Sequence, residues 1–197
     1  MLTGVILDWD RAQNIDFPVN GFLPFEGELL IERQIKEMSK ICEEIILVTN
    51  QPMVYLPILD KKIRIITSSS IGKGALSGMH AAFSLSTYNH LWMVNSDMPF
   101  ICSRAAQFLY DVKQEKEFDA VIPMIKNKVN PYHAVYDKSC LQAIETMLKR
   151  NYQNPLEILS QIHWQGISSS QFLEHKIDVT FIYSIKTLQD YQVAIKA

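Results

Sequence analysis

The chain has 197 residues, 48% of them apolar and 20% charged, the composition of a folded protein able to bury a sizeable core without staples. Its formal net charge of −2 sets up no field that would draw nucleic acid or a membrane surface as a general partner. Cys42, Cys102 and Cys140 are odd in number and in no metal-ligand spacing, so a reducing compartment fits, the cytoplasm by default. The N-terminus runs into an apolar strand without a basic region or cleavage site, and no apolar run approaches membrane length.

Leu2–Leu7 is a short apolar run bounded by a polar loop, the pattern of a buried strand. From Leu30, apolar residues recur at Ile31, Ile35, Met38 and Ile41, which places them on one face of a helix. Ile45–Thr49 and Ile63–Thr67 are rich in β-branched residues and read as strands. Gly74–Thr87 reads as a helix, Leu91–Asn95 as a strand, and Arg104–Glu115 as a helix with Ser103 as its N-cap. Ala120–Met124 and Tyr132–Tyr136 are shorter strands, and Ser139–Arg150 is an amphipathic helix. A helical turn is expected from Pro155, and Val179–Tyr183 is expected as a last strand before a terminal helix. Apolar strands alternating with helices predict one α/β domain over residues 1–197, with a mostly parallel sheet of about seven strands covered on both faces. Ligands of such sheets bind beyond the carboxyl ends of the strands, so chemistry is expected in the loops after Leu7, Thr49, Thr67 and Asn95.

Two of those loops carry motifs. Gly74-Ala75-Leu76-Ser77-Gly78-Met79 is a glycine-flanked turn that opens a helix, and Asn95-Ser96-Asp97-Met98-Pro99 delivers one carboxylate from a strand end. Together they resemble the MobA-like molybdenum cofactor guanylyltransferases, whose turn reads Gly-Pro-Leu-Ala-Gly-Met and whose Asp-x-Pro aspartate holds magnesium. The resemblance runs nearly the whole length. Gly4-Val5-Ile6-Leu7 is similar to the family's first strand, Gly21-Phe22-Leu23 to the segment after its signature lysine, and Pro131–Tyr136 to its His-Pro strand. Ser184-Ile185-Lys186-Thr187-Leu188-Gln189-Asp190 follows the family's closing Asn-x-Asn-Thr-Pro-x-Asp segment, without either asparagine or the proline.

The resemblance implies a Rossmann-like, three-layer nucleotide-diphospho-sugar transferase fold. It also implies transfer of GMP from GTP to the phosphate of molybdopterin, with Mg2+ as the metal. Carried over by position, it puts the nucleotide against Leu7, Asp8, Trp9, Asn20, Asn50, Ser68, Lys73, Gly74 and Gly78. Asp97 becomes the metal ligand and catalytic carboxylate, and Arg11 the catalytic cation of the first loop. Lys126 and Lys128 are candidates for an anionic pterin phosphate, and His133 lies where the family's segment approaches substrate. A monomer or weak homo-oligomer is expected.

The first loop departs from the family. Trp9 and Asp10 stand where it has a Gly-Gly pair, and Asn20 where it has a lysine. Glycine there lets backbone N–H groups turn towards phosphate without a Cβ in the way. Between Asp8 and Gly27, four carboxylates oppose Arg11 alone. A carboxylate about 5 Å from a phosphate charge costs on the order of 3 kcal/mol at an effective dielectric near 20. Nucleotide binding weaker than in a glycine-rich relative is therefore expected.

Two other functions compete. With its phosphate loop dismantled, the fold can serve as a non-catalytic binding or regulatory module. Alternatively, Val5-Ile6-Leu7-Asp8-Trp9-Asp10 resembles the Asp-x-Asp element of haloacid-dehalogenase-type phosphatases. That reading makes Asp8 the nucleophile, Asp10 the acid/base and Asp97 a metal ligand.

Overall fold

Strand β1 (Leu2–Asp8) is buried along its whole length, because both faces of the sheet are covered. Its side chains alternate with the strand period of two: Leu2 and Ile6 enter one apolar core, Val5 and Leu7 the other. The computed structural model describes residues 1–9, 20–67 and 74–196. Asp10, Arg11, Ser68 and Lys73 lie outside the described residues.

After β1 come a two-stranded hairpin, β2 (Pro24–Phe25) and β3 (Glu28–Leu29), then α1 (Leu30–Met38), β4 (Glu44–Thr49) and the short α2 (Pro52–Tyr55). The chain continues through β5 (Arg64–Ile66), α3 (Gly74–Leu85), β6 (His90–Asn95), α4 (Ser103–Lys116), β7 (Ala120–Ile125), β8 (Lys128–Val129) and β9 (Ala134–Asp137). It closes with α5 (Leu141–Lys149), β10 (Trp164–Ser168), α6 (Ser169–Glu174) and α7 (Leu188–Ala194).

The large sheet is ordered β10-β7-β9-β6-β1-β4-β5, with β8 paired to β7. Pairs β1–β4, β1–β6, β4–β5 and β7–β10 are parallel, whereas β9 lies antiparallel between β6 and β7. Ile31 and Met38 of α1, Leu109 of α4 and Phe172 of α6 cover one face. Leu76, Met79 and Phe83 of α3, with Ile144 and Met147 of α5, cover the other. This is the three-layer α/β fold with a mostly parallel sheet. A third cluster joins Leu23, Phe25 and Leu30 to Ile185 and Ala194, so the hairpin and the closing helix share one small core.

Several local expectations are corrected. Val179–Tyr183 is no strand. Val179–Ile182 forms a 3-10 turn in which the Asp178 side chain accepts the Thr180 N–H at 2.7 Å, an Asx cap that competes with extended backbone. Helix α4 begins at Ser103 itself, and its N-terminal N–H is taken by the Glu37 carboxylate of α1 at 2.7 Å, an acidic group at a helix N-terminus. The edge strand β10 carries Gln165 and Gly166 and is largely half-buried, so its sequence shows no apolar run. Strand β9 starts later than expected because His133 has φ +54°, a backbone position no strand tolerates. Among the described residues no helix is long and apolar enough to cross a membrane.

Candidate functional site

The sheet changes direction at β1. Strands β4 and β5 build outwards on one side, and α3 then carries the chain across to β6 on the other. The carboxyl ends of β1 and β6 therefore bound the crevice in which open α/β sheets bind ligands. Leu7 pairs with Asn95 there, and the Ser96 N–H donates to the Leu7 carbonyl at 2.9 Å.

Asp8 ends β1 at this point and is 7% exposed. Its carboxylate accepts from Ser96 Oγ at 2.6 Å, Tyr55 Oη at 2.9 Å and Thr49 Oγ1 at 3.2 Å. Burial holds its pKa above the usual carboxylate value and the nearby Asp97 charge adds to this, against the pull of the three hydroxyls. Tyr55 reaches Asp8 because Gly21 leaves room: a Cβ on Gly21 would stand 2.5 Å from Tyr55 Oη. The Gly21 N–H in turn bonds that phenol oxygen. Asp8 thus ties β1, β4, α2 and the turn after β6 together. A phosphatase nucleophile needs a carboxylate oxygen open to substrate, and both oxygens of Asp8 are taken.

Asp97, two residues beyond β6, is 1% exposed. The closing segment holds it with three consecutive residues. Ser184 Oγ donates to Oδ1 at 2.6 Å, the Ile185 N–H to the Asp97 carbonyl at 2.8 Å, and the Lys186 ammonium lies 2.6 Å from Oδ2. Ile185 is buried in the third core while Ser184 and Lys186 both meet the carboxylate. The Asp97 charge also acts on Asp8 at the end of β1.

Gly78 of the GALSGM turn packs under Leu7 and Trp9, and a Cβ there would stand 3.3 Å from the Trp9 ring. The indole therefore covers the glycine that brings α3 close to the strand end. Gly74 has φ +65° and abuts Gln153, whose carbonyl receives the Leu76 N–H at 3.4 Å. So Leu7, Asp8, Trp9, Gly78 and Asp97 converge, while Gly74 lies against the Gln153 segment. The exposed Asn50 follows Thr49, the register partner of Asp8, at the same sheet edge.

Two expected contacts are corrected. Leu7 has its side chain in the core and its carbonyl on Ser96, so it presents no open group to a nucleotide. Asn20 is buried at 6% exposure in a 3-10 turn. His133 is likewise no substrate residue. It is fully buried beside Trp92 and Phe181 and accepts the Cys102 N–H on Nε2 at 2.9 Å. Burial pushes its pKa down to about 3.

Next to Asp97 opens a cavity of about 690 Å³ lined by Lys126, Lys128, Tyr132, Tyr183 and Ser184 among others. Ser184 both lines this cavity and donates to Asp97. The two lysines were legible in the sequence. Ser184, Lys186, Tyr55 and Thr49 were missed as site residues, although the i, i+2 replacement of both family asparagines by Ser184 and Lys186 was a usable signal.

The residues present do not fit the magnesium ion that the family resemblance implies. Mg2+ is held by one or two carboxylates with waters and phosphate oxygens in octahedral geometry. Here every oxygen of Asp8 and Asp97 has a protein donor, and the donor on Asp97 Oδ2 is a full positive charge.

Comparison with known proteins points to one family. The profile of the MobA-like NTP transferase domain matches residues 20–163. A probable molybdenum cofactor guanylyltransferase of Clostridium perfringens is 27% identical over 196 residues, 98% of this chain and 96% of that one. A molybdenum cofactor guanylyltransferase of Desulfosudis oleivorans is 24% identical, covering 100% of this chain and 96% of its own. Among solved structures, molybdopterin-guanine dinucleotide biosynthesis protein A from Archaeoglobus fulgidus superposes with a TM-score of 0.84 at 19% identity. That match covers 98% of this chain and 97% of the other.

Proposed function

The chain belongs to the MobA-like NTP transferase domain family, and from that premise we propose that it moves GMP from GTP to the phosphate of molybdopterin. It does so as one nucleotidyltransferase domain over residues 1–197, a cytoplasmic monomer or weak homo-oligomer. An oxygen of the acceptor phosphate attacks the α-phosphorus of GTP. The new P–O bond forms as the bond to the β-phosphate oxygen breaks, and pyrophosphate leaves. Such a reaction asks for positioning and for neutralisation of phosphate charge rather than for covalent help.

One observation carries the reading: the cavity beside Asp97 shares Ser184 with it. Tyr132 and Tyr183 line it with aromatic side chains suited to a fused ring system, and Lys126 and Lys128 with charge suited to its phosphate. The GTP side lies at the ends of β1 and β6, with Trp9, Gly78 and Asn50 around it. Asp97 fixes the closing segment through Ser184 and Lys186, and the Lys186 ammonium supplies positive charge beside it. The Asp97 carboxylate is already bonded to Ser184 and Lys186.

The test is direct. Purified protein is incubated with GTP and molybdopterin, and pyrophosphate release is followed alongside dinucleotide formation. Both products should appear in equal amounts. Folded protein that releases no pyrophosphate would overturn the reading.

A further inference from the structure

We propose that the Lys186 ammonium is a built-in counter-ion that occupies the cation position at Asp97, so that this protein holds no divalent metal on that carboxylate. The inference deepens the transferase reading by naming what balances the charge of its site.

Three observations carry it. First, Asp97 is 1% exposed, and a buried carboxylate needs a permanent partner because the charge is costly out of water. Lys186 is that partner at 2.6 Å, on the oxygen that Ser184 does not use. Second, the lysine is held in place from both sides. On one side Ile185 is anchored in the core and its N–H bonds the Asp97 carbonyl at 2.8 Å. On the other, the Asp190 carboxylate accepts the N–H groups of Lys186 at 3.0 Å and Thr187 at 2.8 Å, within the capping box of α7. Third, the Lys186 side chain remains 52% exposed, so the ammonium bridges a buried carboxylate and open solvent. An ammonium has three N–H donors. Asp97 takes one, and among the described residues no other acceptor is bonded to the rest.

A dication brought to Asp97 would meet this positive charge at contact range, and Mg2+ sheds its water reluctantly even where no cation opposes it. The neighbouring Asp8 offers no alternative, since its oxygens are already bonded to Ser96, Tyr55 and Thr49.

The experiment uses the full-length protein and Mn2+ alone as the probe, with bound and free Mn2+ read by electron paramagnetic resonance. The wild type should bind no stoichiometric Mn2+. Lys186→Asn should bind one equivalent, at least about tenfold more tightly than wild type, and a second change, Asp97→Asn, should abolish that binding. Lys186→Arg keeps the charge and should exclude Mn2+ as the wild type does. One equivalent of Mn2+ bound by wild type and lost in Asp97→Asn would overturn the proposal without recourse to any Lys186 variant. Equal binding by Lys186→Arg and Lys186→Asn would also overturn it, since charge would then not be the cause. Neither nucleotide nor pterin enters the measurement, so failed guanylyl transfer leaves this result standing, and the reverse.

Discussion

Lys186 Nζ lies 2.6 Å from Asp97 Oδ2, joining the closing segment of the chain to the carboxyl edge of the central sheet. One partner is buried and the other half in solvent, so removing the lysine strands a charge that water reaches poorly. Lys186→Ala should lower stability by about 1–2 kcal/mol, less than the 3–5 of a fully buried pair because Lys186 is solvent-screened. Urea unfolding checks this. Asp97→Asn in the same background should recover part of the loss, since it removes the stranded charge.

The Asp8 network makes a coupled prediction. Tyr55→Phe takes one hydroxyl from a buried carboxylate and should cost about 1–3 kcal/mol. Gly21→Ala should cost a similar 1–3 kcal/mol, because the new Cβ would stand 2.5 Å from Tyr55 Oη. Combined, the two changes should cost less than their sum, since Tyr55→Phe removes the atom the Cβ strikes. A double-mutant cycle in urea measures the difference.

His133 sets a pH dependence. Burial lowers its pKa from 6.5 to about 3, so between those values the unfolded chain binds a proton that the folded chain does not. Its contribution to stability is whole above about pH 6.5 and is lost as pH falls towards 3, by up to about 1.4 kcal/mol per pH unit. Urea midpoints at pH 7, 6 and 5 should show this slope, and His133→Asn, which does not titrate, should lack its share.

Trp9 stands over Gly78 where a glycine-rich relative leaves backbone open. Trp9→Gly should therefore raise GTP affinity by about tenfold, measured by calorimetry. Asn20→Lys, the other change the family pattern suggests, would put a lysine at a buried position and should destabilise the protein instead.

On the acceptor side, Lys128→Glu reverses one charge at the rim of the cavity. It should raise the KM for molybdopterin by about tenfold while leaving that for GTP unchanged. A rise in both would move Lys128 out of the acceptor half.

How much of this is legible in sequence follows from where each signal resides. Strands β1, β4 and β6 are buried on both faces, so their apolar runs stand out without any partner being known. Strand β10 lies at an edge with Gly166 inside it, and a half-covered edge leaves no such run. The 3-10 turn at Val179–Ile182 has β-branched residues that favour a strand, and only the Asp178 cap decides otherwise. Asp97 was visible as a lone carboxylate before a proline. Its bond to Lys186 was not, because a contact across the whole fold has no local pattern. Only the paired loss of two family asparagines hinted that the closing segment had taken a new task.

The closing segment also sets an order of events. Ser184, Ile185 and Lys186 complete the Asp97 environment, and Ala194 of α7 shares its small core with Leu23 and Phe25 from the hairpin. A chain emerging from the ribosome forms its central strands long before these residues exist, because synthesis proceeds from the N-terminus. Until residues 184–194 arrive, Asp97 has neither its hydroxyl nor its ammonium partner, and the hairpin has no lid for Phe25. A nascent chain stopped short of Ser184 should thus hold a folded sheet with an unfinished crevice. The site is complete only once residues 184–194 have been added.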